Sequence, residues 1–154
     1  MNLAELNVGY AAHALDDPRM GDFMNNLDRI NALAERSPGF VWRLKSDSGN
    51  ATDIAVPGDP GMISNLSVWS DIASLGHYVF NTVHAQFYNR RPEFFQAMTD
   101  PHFVMWWIND DHTPTLEEAM ERLMHLRAHG SSDEAFGWDR VDISNFKRCA
   151  VSVG

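Results

Sequence analysis

The chain has 154 residues, of which 44% are hydrophobic, and these values are typical of one globular domain and exclude wholesale disorder. Its formal net charge of −9 argues against a nucleic-acid partner, because binding to a phosphate backbone requires basic residues. The longest apolar run, Phe103 to Ile108, is too short to cross a bilayer, so we expect no membrane association.

The first third of the chain predicts a strand, a helix and a second strand. Leu3 to Tyr10 alternates in polarity, which predicts a strand with one buried face and with Glu5 on the opposite face. An acidic pair followed by proline at 16–18 indicates the start of a long amphipathic helix. Ser37 to Gly39 ends this helix, and residues 40–45 alternate again as the second strand.

The middle of the chain predicts a loop, a third strand and a second helix. The polar segment 46–61 contains glycine and proline and is longer than most connections, so we predict a loop that is functional or flexible. Met62 to Trp69 follows as the third strand. The second helix begins at Ser70 and Asp71, and Pro92 interrupts it or starts a short continuation.

The last third predicts a fourth strand, a third helix and a tail. Residues 101–108 are nearly all apolar, which indicates a strand that is central or covered on both faces. A capped helix is predicted from Thr115 to His129, and a turn-rich tail begins at Ser131. The order βαββαβ followed by an extra C-terminal helix predicts an α+β, ferredoxin-like fold.

The most reactive side chains lie on one side of the predicted second helix. His84 follows His77 by two turns and precedes Tyr88 by one turn, and Arg91 lies a further turn along. A neutral imidazole beside a phenol and a guanidinium can move protons or orient a substrate oxygen. The alternative is a boundary histidine that only bonds a backbone carbonyl group.

Two sets of strand residues suggest a pocket. Asn65, Ser67 and Trp69 share one face of the third strand, a mixture that suits a pocket with a few hydrogen-bonding groups. A partly solvated sheet face explains the same mixture equally well. Trp106 and Trp107 are neighbours on the fourth strand and must face opposite sides of the sheet.

The aromatic residues of the fourth strand also predict an oligomer. Phe103, Met105 and Trp107 share one strand face. Such an apolar face on the outside of a ferredoxin-like sheet would need a second sheet against it, most simply from an identical subunit. We therefore expect a homodimer.

Metal and cofactor motifs are weak or missing in the sequence. Glu121, His125 and His129 recur every four residues on the third helix, and two histidines at this spacing can share a metal ion. Cationic groups are also common in the last turn of a helix, and we prefer this alternative, so no metal site is predicted. The sequence has no phosphate loop, Rossmann fingerprint or zinc-protease motif, so no cofactor is predicted.

The chain start and the cysteine count indicate the compartment. Residues 1–5 have neither the basic nor the apolar region of a signal peptide. Cys149 is the single cysteine, so an internal disulfide is excluded. We expect a cytoplasmic protein.

Several stretches of the sequence match a known family in order. They are Leu3 to Asn7, Asp16 to Leu44, Asn65 to Trp69, His84 to Phe95 and Trp106 to Gly130. Together they resemble a bacterial domain-of-unknown-function family in the dimeric α+β barrel superfamily, whose members include the antibiotic-biosynthesis monooxygenases. The resemblance implies a ferredoxin-like protomer, a dimer whose two sheets form a barrel, and a pocket between the helices and the sheet of each subunit.

The resemblance also implies a domain boundary. It covers about residues 3–136, so we predict one ferredoxin-like domain over 1–136 and a C-terminal extension over 137–154. That extension covers the pocket, covers the dimer seam or is disordered.

Two functions remain open from the sequence. The first is an enzyme that acts on a hydrophobic, aromatic or polyketide-like molecule by acid–base-assisted, cofactor-free oxygenation, cyclisation or isomerisation. The second is a dimeric carrier or sensor of such a molecule. For the enzyme we predict two groups of site residues: catalytic His84, Tyr88 and Arg91, and substrate-binding Asn65, Ser67, Trp69, Phe87 and Trp106. A haem with His84 as its axial ligand is the less favoured cofactor hypothesis.

Overall fold

The computed structural model describes residues 1–45, 59, 61–82 and 84–144. Within those residues there are four strands: β1 Asn2–Gly9, β2 Phe40–Arg43, β3 Ile63–Trp69 and β4 Phe103–Ile108. There are also five α-helices: α1 Gly21–Arg36, α2 Ile72–Asn81, α3 His84–Asn89, α4 Arg91–Phe94 and α5 Leu116–His129. The predicted α+β class is therefore confirmed. Most of the predicted loop 46–61 lies outside the described residues.

The four strands form one antiparallel sheet in the order β2-β3-β1-β4. The central strand β1 pairs with β3 and β4, so that Glu5 has Ser67 on one side and Met105 on the other. Each of the four predicted strands is present, and the observed strands end within a few residues of the predicted limits.

Helices or loops of the same chain cover both faces of the sheet. Apolar residues on one face pack against α5, through Ala119, Leu123 and Leu126. The other face, which we call the cleft face, packs against α1, α2 and residues 136–141. The prediction that only one face of β1 is buried is wrong, because Glu5 on the cleft face is only 6% exposed.

The turn after α1 lies close to the start of α2. Gly39 has a φ of +83°, a conformation that L-residues rarely adopt. A Cβ atom at this position would also overlap the side chain of Ser74 and approach Ser70 Oγ to 2.7 Å. Glycine is therefore required here by both backbone and packing, and the predicted helix end at 37–39 is confirmed.

The second helix is shorter than the sequence predicts. It ends at Asn81, and Thr82 has extended backbone angles before α3 begins at His84. The Thr82 side chain donates a hydrogen bond to the Tyr78 carbonyl and accepts one from the His84 amide at 3.2 Å, so it replaces backbone bonds of a continuous helix. His77 is exposed and does not share a continuous helical line with His84.

Residues 131–144 return to the sheet and cover part of the cleft face. The backbone of Phe136 bonds to Met105 in both directions, at 2.8 and 2.9 Å. The ring of Trp138 stacks on Phe103 with centroids 5.3 Å apart. The strand face of Phe103, Met105 and Trp107 therefore packs against residues of the same chain. It does not need a second sheet, so the argument for a homodimer that rests on this face is wrong.

Among the described residues, no helix combines the length and the apolar character needed to cross a bilayer.

Candidate functional site

A cleft lies between the cleft face of the sheet and helices α1 to α3. Its inner cavity has a volume of about 50 Å³ and its outer cavity a volume of about 120 Å³. Side chains from the sheet and from the helices line both cavities. Six residues line both of them, so the two cavities adjoin and together form the cleft. The shared residues are Asn7, Asn31, Arg43, Asn65, His84 and Tyr88.

Helix α1 covers this cleft, and most of its apolar side chains are only partly buried. Ala34 is its single buried residue, although its apolar stripe follows a clear helical period. Phe23, Leu27 and Ile30 from that stripe line the outer cavity and are only half buried. The amphipathic helix predicted from the sequence thus encloses a cavity with part of its apolar face.

A buried carboxylic acid lies in the inner cavity. Ser67 Oγ donates a hydrogen bond to Glu5 Oε1, and Trp69 Nε1 donates one to Ser67 Oγ at 2.9 Å. Burial raises the pKa of Glu5 from 4.5 to about 8, and the bond from Ser67 opposes this increase only in part. No cation among the described residues pairs with this carboxyl group. At neutral pH, Glu5 is therefore mainly a neutral acid that can donate a hydrogen bond.

His84 is a neutral base at the junction of the two cavities. Its Nδ1 donates a hydrogen bond to the Val79 carbonyl oxygen at 3.3 Å, since a carbonyl oxygen can only accept. Nε2 then carries the lone pair, and no described residue bonds to it. Burial lowers the pKa of His84, and the bond to Val79 opposes this decrease. His84 is therefore neutral at neutral pH.

The ring of Tyr78 lies between those of Trp69 and His84. Its ring stacks on Trp69 with centroids 5.1 Å apart, and its other neighbour is the His84 ring at 4.9 Å. The Tyr78 hydroxyl donates a hydrogen bond to the Ile30 carbonyl at 3.2 Å. Burial, with a further contribution from the charge of Glu5, raises the pKa of Tyr78. Tyr78 therefore stays protonated and orients the two neighbouring rings.

Arg91 lies beside the outer cavity at the start of α4. Its guanidinium donates to the Val8 carbonyl at 2.9 Å and to Asn7 Oδ1 at 3.4 Å, and it lies 4.8 Å from the centre of the Phe95 ring. Burial lowers the pKa of Arg91. Gly9 makes this arrangement possible, because a Cβ there would lie 2.8 Å from Phe95 and 3.0 Å from the guanidinium.

The cleft brings together most of the residues that the sequence predicts. Asn65, Ser67 and Trp69 line the inner cavity, and Phe87 lines the outer cavity. Tyr88 lines both, but its side chain is 43% exposed and its ring lies 6.4 Å from that of His84.

Trp106 is wrongly predicted as a pocket residue. It is fully buried on the opposite face of the sheet, in the core that α5 covers. Its Nε1 group has no hydrogen-bond partner among the described residues. Adjacent strand residues face opposite sides, and the sequence could not specify which of Trp106 and Trp107 faces the cleft.

Sequence reasoning missed Glu5 and Tyr78. The alternation of polarity places Glu5 on the non-buried side of β1, although Glu5 pairs directly with Ser67, a residue that the sequence predicts to line a pocket. An acid in a strand otherwise rich in apolar residues was the available signal. Tyr78 gave no such signal, because its position on the inner side of α2 depends on how the helix packs.

The histidines of α5 lie beside an acidic side chain and beside each other. His125 Nε2 lies 3.0 Å from Glu134 Oε2, and its ring lies 4.7 Å from that of His129. In the part of the chain that the structure describes, no three histidine, cysteine or acidic side chains are grouped to hold a metal ion.

A family model matches nearly the whole chain, and one solved structure matches about three quarters of it. The model of a family described as "Domain of unknown function (DUF3291)" matches residues 2–149, beyond the end at 136 implied by the resemblance. Among solved structures, the chain is similar to that of the NE2512 protein of unknown function from Nitrosomonas europaea. The two are 14% identical with a TM-score of 0.47, over 74% of this chain and 95% of that chain. No curated protein matches the chain.

Proposed function

The chain belongs to the DUF3291 family, and we propose that it is a small-molecule enzyme that transfers protons on an apolar, ring-bearing substrate held in the cleft. One observation carries this proposal: a neutral acid, Glu5, and a neutral base, His84, line the same cavity. Their pKa values are shifted in opposite directions, upward for Glu5 and downward for His84. Such pairs of shifted groups are typical of acid–base sites.

The proposed reaction begins with removal of a proton beside a carbonyl group or from a phenol. His84 Nε2 accepts that proton, and the negative charge moves to the substrate oxygen. Glu5 donates a hydrogen bond to this oxygen, which stabilises the charge as it develops. Ser67 and Trp69 fix the position of the Glu5 carboxyl group through their hydrogen bonds.

The same first step serves several overall reactions. An enolate or phenolate can take back the proton at another carbon, which is an isomerisation. It can also attack a second carbonyl group in the same molecule, which is a cyclisation, or react with oxygen. None of these proton transfers requires a cofactor. The rings of Trp69, Phe87 and Trp138 along the cleft favour an aromatic or otherwise flat substrate.

Hydrogen–deuterium exchange tests the proposal without knowledge of the natural substrate. We expect the protein in heavy water to exchange the protons next to the carbonyl group of aryl ketones and aryl keto acids, as measured by NMR. His84→Ala should lower the exchange rate by about 100-fold or more, because general-base catalysis contributes that much. Glu5→Gln keeps a neutral donor and should lower it less than Glu5→Leu.

Two controls make the result specific. His77→Ala removes an exposed histidine outside the cleft and should leave the rate unchanged. The rate of the natural protein should fall as pH rises through about 8, where Glu5 loses its proton. Retention of full exchange by His84→Ala would refute the enzyme. A ligand that binds tightly and never exchanges protons would favour a carrier instead.

We also propose that the protomer is ferredoxin-like and forms a cytoplasmic homodimer. In the described part of the chain, helix α5 on one sheet face and helices α1 and α2 on the other leave no open face for the two-sheet barrel that the resemblance implies. The strand order β2-β3-β1-β4, with α1 and α2 on the same face, supports the first part. Two such sheets can still pair through their edge strands, whose unpaired N–H and C=O groups can bond to a second copy. The β2 edge has no strand partner besides β3 among the described residues, which supports the second part.

A further inference from the structure

The outer cavity has positive groups and no negative ones. Arg43 and Arg91 line it, and none of its lining residues within the described part of the chain is an aspartate or glutamate. Arg43 Nε lies 2.8 Å from Glu35 Oε1 and so has a counter-charge. No described carboxylate lies within ion-pair distance of Arg91. In a protein with a net charge of −9, this local excess of positive charge requires an explanation.

The Arg91 guanidinium is held firmly and still has donors to spare. It gives one hydrogen bond to a backbone carbonyl and one to an amide side chain, and it stacks on the Phe95 ring. A guanidinium has five N–H groups. Its neighbours therefore fix its orientation and leave N–H groups for a ligand. Gly9 provides the space for this fixed position.

Leaving a half-buried cation without a counter-ion costs free energy that an anion would recover. A second group reflects the same positive potential. His102 lines the inner cavity, and burial together with the charges of Arg91 and Arg127 lowers its pKa. Arg127 donates to the Pro101 carbonyl at 2.8 Å and likewise has no carboxylate partner among the described residues. The positive region thus extends from Arg91 toward the inner cavity.

We infer that Arg91 anchors an anionic group and that the substrate of the proposed enzyme is an apolar carboxylic acid. The carboxylate would bind Arg91 in the outer cavity, and the apolar body would lie along Phe23, Phe87 and Leu27. The reacting oxygen would then point toward Glu5. A carboxylate suits the site better than a phosphate ester, because it brings one negative charge to one unpaired guanidinium.

Only one part of this inference, the position of the reacting end of the substrate, rests on the proposed function. The site for the carboxylate depends only on Arg91 and the lining of the outer cavity. Arg91 then acts as a substrate-binding residue, in place of the catalytic role that the sequence suggested.

Equilibrium binding tests the inference separately from turnover. The ligands are benzoate, phenylacetate and naphthoate, each compared by calorimetry with its neutral amide. We expect at least one carboxylate to bind the natural protein about 10- to 100-fold more tightly than its amide, as is usual for charge-assisted hydrogen bonds. Arg91→Met should remove this preference, with a much smaller loss of amide affinity, because a neutral amide oxygen accepts only a weaker hydrogen bond from the guanidinium. Arg91→Lys should retain part of it.

The controls separate the anchor from general charge and from misfolding. Arg29→Met removes one exposed positive charge from α1 outside the cleft lining, and should keep the preference. Retained binding of the amide by Arg91→Met shows that its cleft is intact. Equal affinity of carboxylates and amides for the natural protein, or no binding of either, would overturn the inference. A clear carboxylate preference without any proton exchange would overturn the proposed enzyme alone.

Discussion

Glu5 is the side chain on which the proposed chemistry depends, because the fold buries an acid without giving it a cation. In the described residues its hydrogen-bonding partner is Ser67, and Trp69 completes the chain of donors. An isolated buried carboxylate is costly, so the group keeps its proton and its pKa rises to about 8. The protein thereby holds an acid in a useful protonation state at a cost in stability.

That cost predicts how stability varies with pH. The folded-state pKa of Glu5 lies above its ordinary value of 4.5, so the folded protein binds the proton more tightly than the unfolded chain does. The contribution of Glu5 to stability is fully present below pH 4.5 and is lost as pH rises toward about 8. Glu5→Gln has no proton to lose. Relative to the natural protein, this variant should become more stable as pH increases.

Thermal unfolding at several pH values measures this difference. The melting temperatures of the natural protein and Glu5→Gln should lie closest at about pH 5 and furthest apart at about pH 9. Asp28→Asn is the matched control, because it neutralises an exposed acid on α1. A difference between Glu5→Gln and the natural protein that stays constant with pH would contradict the buried, uncompensated acid.

At the scale of elements, the segment after α5 closes one side of the inner cavity. Trp138 lines this cavity, stacks on Phe103 and contacts the Phe80 ring edge-on, with centroids 5.1 Å apart. Two backbone hydrogen bonds between Phe136 and Met105 fasten the segment to β4. The segment is therefore part of the cavity wall.

Removal of this wall should open the cavity. Trp138→Ala should cost about 2 kcal/mol of unfolding free energy, less than a fully buried tryptophan would, because Trp138 is half buried. Stopped-flow fluorescence should show faster release of an apolar, anionic naphthalene dye. Trp107→Ala is the matched control, since Trp107 lies on β4 and lines neither cavity. Equal dye release from both variants would show that Trp138 does not close the cavity.

The break between α2 and α3 illustrates what local patterns miss. The sequence predicts one helix from Ser70 toward Pro92, because apolar residues recur along it with a helical period. Thr82 instead adopts an extended conformation, and its side chain bonds to the neighbouring backbone on both sides. This local competition interrupts the helix. The structure places His84 in the cleft, but at the start of a separate helix and not on the continuous helical side that the pattern predicts.

At the scale of the whole molecule, the covered sheet faces restrict where a second copy can pair. Both sheet faces are covered within one protomer, so a dimer would have to use other surfaces. The edge strand β4 is partly bonded by Phe136, whereas Val41 on the edge strand β2 is 47% exposed. An exposed apolar edge is a natural place for a second copy to pair.

Light scattering tests the homodimer and its edge. We expect twice the mass of one chain for the natural protein, and the mass of one chain for Val41→Lys, because a lysine on an edge strand opposes pairing. Met124→Lys, at a position of α5 that is 49% exposed, should keep the double mass. A single-chain mass for the natural protein would refute the homodimer. A double mass for Val41→Lys would exclude the β2 edge as the seam.

The sequence by itself determined the α+β class, the four strands, the C-terminal end of α1, both ends of α5, and the polar face of β3. These features depend on periodicity, caps and turn residues, which act between neighbours along the chain. The tertiary structure alone decided that Glu5 is buried, that Tyr78 packs between Trp69 and His84, that Trp106 faces away from the cleft, and that the chain covers its own sheet on both faces. Each of these depends on which distant segments meet, and burial determines the protonation state of an acid only after they have met.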